Sequence, residues 1–171
     1  MGRAERWFVE ANRAVVALAL AAIFVIVFAN VVLRYGFGWS LSWAEETARF
    51  LMVFGAFAGA GLALREGRLV EIDLFVALLP RRLRLALRWA TVLAMGGFMA
   101  ALLWLGIAFV EFGWSKETMA TQIPRGVPYL ALPIGAALFL VHLLLFAARY
   151  VQEGYLFADL PEEPAAAPEA R

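Results

Sequence analysis

Between Arg13 and Arg34 the chain reads AVVALALAAIFVIVFANVVL, twenty residues in which Asn30 is the only strongly polar side chain. A bilayer core of about 30 Å is crossed by about 20 such residues in a helix, where every backbone N–H must find its acceptor within the segment. Three more stretches meet that requirement: Trp43–Leu64, Trp89–Val110 and Gly126–Ala148. The sequence therefore predicts an all-α membrane protein with four transmembrane helices, over about 14–33, 43–64, 89–110 and 126–148. These spans make one domain, 1–160, and the proline- and alanine-rich end 161–171 is expected to be a disordered tail. A hydrophobic content of 64% over 171 residues agrees, since a soluble domain is nearer half apolar.

Several function classes are disfavoured at this point. With no cysteine the chain has no disulfide, thiolate metal site or dithiol redox centre. Its one histidine, His142, is too few for a bis-histidine haem and reads as a packed residue, not a ligand. No nucleophile, base and orienting group converge, so neither a catalytic residue nor a cofactor or metal site is assigned. A net charge of +1 gives no reason to expect nucleic acid. A transporter needs polar groups near the midplane to replace lost hydration. The middles of these spans hold Ala, Val, Leu, Ile, Phe and Gly, with Thr91 the main polar member of the third.

The cations set the expected orientation. Eleven Arg lie in the N-terminal flank, the loop between spans two and three, and the C-terminal flank; Arg34, Arg49, Lys116 and Arg125 occupy the other side. The positive-inside rule then places both termini in the cytoplasm. Tyr35, Phe37, Trp39, Trp43, Trp114 and Tyr129 would form the opposite aromatic belt. The basic flank and apolar run of span one resemble a signal peptide, but the run is long and Arg34 follows it, which reads as an uncleaved anchor. Between Arg68 and Pro80, LVEIDLFVALL is too short to span and is expected at the interface.

The residues around the second span raise the sharpest question. Ser42 and Glu45 have the S-x-x-E spacing of a capping box, and Gly67 supplies a stop. Glu45 and Glu46 in the first turn favour the helix dipole, and Glu45 can pair with Arg49 one turn on. The alternative is docking, with Glu46 facing a basic group on a partner. Arg34 and Arg49 either anchor span ends among lipid headgroups or bridge the hairpin to Glu46. Gly55 and Gly59 form G-x-x-x-G, repeated by Ala56 and Ala60 and by Gly97 and Ala101. Such spacing lets helices approach closely, inside the subunit or against another protein. Asp73 pairs within its own loop or with a partner, and the arginines from Arg81 to Arg88 attract anionic lipid.

These residues carry a resemblance. Asn30 with Arg34-Tyr35, Trp43-x-Glu45-Glu46 with Arg49, the small stretch Gly55–Gly61, Arg65-Glu66-Gly67 and Ile72-Asp73 resemble the small membrane subunit of tripartite ATP-independent periplasmic (TRAP) transporters, the DctQ type. IPRGVPYLALPIG, with Pro124, Tyr129 and Pro133, matches the entry to that family's fourth helix. The likeness covers roughly residues 10–150; Leu69 stands where the family commonly has a histidine. It implies an accessory permease subunit in a bacterial inner membrane, packed on a large multi-span subunit. The pair would support sodium-driven uptake of an organic acid delivered by a periplasmic substrate-binding protein. Arg34, Tyr35, Trp43, Glu45, Glu46, Arg49, Gly55, Gly59 and Asp73 are the partner-docking candidates. The rival readings are a four-helix membrane scaffold and a stand-alone small exporter.

Overall fold

The computed structural model describes residues 3–65 and 80–153, so Asp73, Gly67, the expected interfacial segment and the tail lie outside the described residues. Five helices follow one another: α1 Arg3–Phe37, α2 Ala44–Arg65, α3 Arg81–Trp114, the short α4 Gly126–Tyr129 and α5 Ala131–Glu153. Four segments are long and apolar enough to cross a membrane, with α4 and α5 acting as one over Gly126–Ala148.

Two helices outrun the spans expected of them. At a rise of roughly 1.5 Å per residue, the 35 residues of α1 make about 52 Å, well beyond a core of about 30 Å. Hydropathy marks the start of the lipid-facing part at Ala14, yet nothing in Arg3–Arg13 breaks the helix, so it continues as a charged extension. In the same way α3 begins at Arg81, eight residues before its expected start. The fourth span is interrupted once. Pro133 has no N–H for the carbonyl of Tyr129, and the chain passes through Leu130, still in helical conformation, before Ile134 bonds back to Leu130 at 3.1 Å.

The helices pack in series: α1 on α2, α2 on α5, and α5 on α3. The outer pair, α1 and α3, bury the least of their length and the inner pair the most. Lipid supplies no hydrophobic drive for helices to associate, so contact depends on close fit. At the α2–α5 crossing Gly135 lies directly against the backbone of Phe57, and Ala58 is wholly buried. A Cβ on Gly61 would come within 2.6 Å of the His142 ring. At the other end, one on Gly113 would meet the Tyr129 ring at 2.6 Å. An apolar cluster of Leu64, Val92, Phe139, Leu143, Tyr150 and Val151 joins α2, α3 and α5 toward the end where α2 and α5 finish.

Small residues thus do bring helices together, but mostly not at the expected motif. Gly59 faces α1, where an added Cβ would stand 3.8 Å from Val16, whereas Gly55 and Gly97 open on empty space.

Candidate functional site

Two polar constellations sit at opposite ends of the helices. At the α1–α2 turn, Gly38 adopts the left-handed φ of +69° that reverses the chain, and Trp39 N–H returns to the Leu33 carbonyl at 3.2 Å. Asn30 Oδ1 accepts the Leu41 N–H at 2.8 Å, fixing the turn against the last part of α1. Helix α2 then starts one residue later than a Ser42 cap requires. The Trp43 carbonyl accepts the first helical bond, from Thr47 N–H at 3.0 Å, so Trp43 is the cap residue and Ser42 precedes it. The S-x-x-E spacing is therefore out of register, and the capping box does not form.

Glu46, at the third helical position, turns away from its own helix to the loop after α3. Its carboxylate accepts the N–H groups of Met119 at 3.2 Å, Ala120 at 3.1 Å and Thr121 at 2.7 Å, and the Thr121 hydroxyl at 2.8 Å. The donors are ordered in turn. Ile123 N–H donates to Thr118 Oγ1 at 3.1 Å, and the Thr118 hydroxyl lies 2.6 Å from that of Thr121. Gln122, at φ +56°, makes the bend, and Arg125 N–H closes the loop on the Lys116 carbonyl at 2.7 Å. Three successive amides aimed at one point form a nest for an anion, and the chain fills it with its own carboxylate.

The remaining docking candidates have different fates. Glu45 does not pair with Arg49; its carboxylate, 67% exposed, lies 3.8 Å from Arg34 across the hairpin. Arg34 thus bridges the turn, to Glu45 and not to Glu46. Arg49 is exposed and makes no ion pair among the described residues. Tyr35 and Trp43 are exposed. A cleft of about 150 Å³ between the end of α1 and the start of α2 is lined by Val27, Asn30, Val31, Arg34, Tyr35, Ala44 and Glu45.

The second constellation is buried near the termini, where hydropathy gives no sign of it. Asn12 Nδ2 donates to the Ala58 carbonyl at 3.1 Å and lies 3.0 Å from His142 Nε2. Since that amide nitrogen is the donor in both, Nε2 accepts and the imidazole proton sits on Nδ1. Phe8 packs on the ring at 4.8 Å between centroids. About two helical turns beyond Asn12, Glu5 and Arg65 form an ion pair with side chains only 13% and 5% exposed. Together these groups tie α1, α2 and α5. Asn12 is missed by sequence reasoning because it precedes the expected first span. A signal does exist: Phe8, Asn12, Val16 and Ala19 recur at helical spacing and share a face.

Residues 23–153 match the family described as "Tripartite ATP-independent periplasmic transporters, DctQ component". The chain is 33% identical over 121 residues to a TRAP transporter small permease protein of Haemophilus influenzae, covering 70% of this chain and 74% of that one. It is 25% identical over 160 residues to the C4-dicarboxylate TRAP transporter small permease protein DctQ of Vibrio cholerae, covering 80% and 69%. The isethionate TRAP transporter permease protein DctMQ of Oleidesulfovibrio alaskensis is 29% identical over 146 residues, which span 80% of this chain but 23% of that longer one.

Proposed function

The chain belongs to the DctQ component family of tripartite ATP-independent periplasmic transporters, a transporter component and not an enzyme, and from this premise we propose that it supports a separate, larger membrane subunit in sodium-driven, binding-protein-dependent uptake of an organic acid. The observation that carries this reading is how its buried polar groups are used. Asn12, Asn30, Thr118 and His142, the buried polar side chains among the described residues, each hydrogen-bond within the chain, three of them between helices or across a turn and Thr118 inside its own loop. Asn12 Oδ1 and His142 Nδ1 have no partner among the described residues. Thr91 returns its hydroxyl to the Leu87 carbonyl at 3.0 Å. A solute path would need such groups turned toward it; here they stiffen a frame. The C4-dicarboxylate and isethionate named for the relatives are organic anions, which favours that substrate class. The match to part of a longer permease chain favours a large neighbour.

The face offered to that neighbour is the free side of α2. Arg49, Met52 and Ala56 fall on one stripe, all exposed although α2 is an inner helix, with the open Gly55 beside them. Close approach of a partner helix at Gly55 suits a membrane interface. In this arrangement both termini are cytoplasmic, and the α1–α2 turn and the Glu46-held loop face the substrate-binding protein. Isolation of the full chain from native membranes in mild detergent should bring down a much larger polytopic protein. Reconstitution of both with the binding protein should give uptake that follows the sodium gradient. Uptake by the small chain alone in vesicles would refute the reading.

A further inference from the structure

The cleft at the α1–α2 corner keeps donor and acceptor capacity beyond the hydrogen bond that fixes the turn. Asn30 is 7% exposed, lines the cleft, and spends its Oδ1 on the Leu41 N–H. Its Nδ2 has no partner among the described residues. Arg34 and Glu45 also line the cleft, held 3.8 Å apart, beyond hydrogen-bonding length, so each retains bonding capacity. The site therefore presents an amide donor and a cation beside one anion.

Below the polar rim the wall is apolar and leads into the membrane. Leu20, Phe24, Val27, Val31 and Tyr35 recur at helical spacing on α1, and all are exposed. From Val31 down to Leu20 this track is about 16 Å long. Tyr35 and the exposed Trp39 and Trp43 set the rim at the level of lipid headgroups.

We propose that this corner binds a phospholipid whose headgroup carries both a phosphate and a primary ammonium. The phosphate takes hydrogen bonds from the Arg34 guanidinium and Asn30 Nδ2, the ammonium donates to the Glu45 carboxylate, and an acyl chain lies along Val31, Val27 and Phe24. A guanidinium suits a phosphate through its paired donors. The ammonium arm discriminates among lipids: a quaternary ammonium has no N–H to give Glu45, and a glycerol headgroup has no positive charge. This inference does not depend on the transport reading.

The test is native mass spectrometry of the full chain in detergent, supplied in turn with phosphatidylethanolamine, phosphatidylcholine and phosphatidylglycerol. One retained phosphatidylethanolamine is expected, preferred roughly tenfold over the other two, the worth of one charge-assisted hydrogen bond. Glu45→Gln, at an exposed side chain, should abolish that preference while leaving weak retention of all three. Arg34→Ala should lower retention of all three. Equal retention of the three lipids by the unaltered chain overturns the proposal, as does an unchanged preference in Glu45→Gln. A photo-crosslinker at Tyr35 in native membranes should label lipid; labelling of protein alone would assign the cleft to a partner's side chain and overturn it too.

Discussion

Replacing Asn12 by leucine probes the joint of three helices with one substitution. The change removes the bonds to the Ala58 carbonyl and to His142 Nε2. Interhelical hydrogen bonds in membrane proteins average about 0.6 kcal/mol each, so their loss contributes about 1 kcal/mol. His142 is fully buried, and leaving its Nε2 without a donor adds about 1–3 kcal/mol. Asn12→Leu should therefore destabilise by about 2–4 kcal/mol. Replacing His142 by leucine as well removes the orphaned acceptor, and exchanging both partners for apolar groups of similar shape is close to neutral in cost. The double variant should be no less stable than Asn12→Leu alone, giving a coupling of about 1–2 kcal/mol. The assay is reversible unfolding in mixed micelles followed by the fluorescence of the six tryptophans. Additivity of the two substitutions within about 0.5 kcal/mol would show that the residues do not act as a pair and would refute the reasoning.

Three further outcomes follow from the packing. Glu46→Ala should speed hydrogen exchange of the Met119, Ala120 and Thr121 amides on the order of tenfold, with Glu46→Gln intermediate; unchanged exchange would show that the carboxylate does not hold the loop. Glu5→Ala leaves the nearly buried Arg65 without its ion-pair partner and should cost about 3–5 kcal/mol, read by the same unfolding assay. Gly135→Leu should prevent α2 and α5 from meeting, because Phe57 backbone occupies that space, and abolish the monodisperse peak on gel filtration, whereas Gly97→Leu, facing open space, should leave it intact.

The candidate residues show how far one-dimensional reasoning reaches. The adjacent acids Glu45 and Glu46 look equivalent in sequence, but at 100° per residue they point to different neighbours. One meets Arg34 across the hairpin and the other fills a nest made by a loop more than seventy residues away. The Glu46 oxygens are taken up within the chain, whereas the Glu45 carboxylate stays 67% exposed. Likewise Gly55 and Gly59 match a packing motif, yet the tightest approach of α2 and α5 is at Gly135, against the backbone of Phe57. Asn12 and Glu5 are invisible to a search for spans since hydropathy reports where lipid begins, not where a helix begins.

The sequence by itself determined the four segments long and apolar enough to cross a membrane, because a backbone in hydrocarbon must satisfy its hydrogen bonds within each apolar run, and run length is a local property. It also carried the family likeness, through residues close together along the chain. Only the tertiary structure decided the serial order α1–α2–α5–α3, the Asn12–His142 and Glu5–Arg65 ties, and the capture of Glu46 by the far loop. Those depend on which helix faces meet. In lipid, where apolar surfaces are nearly interchangeable, that choice rests on shape and on a few polar bonds between residues far apart in sequence.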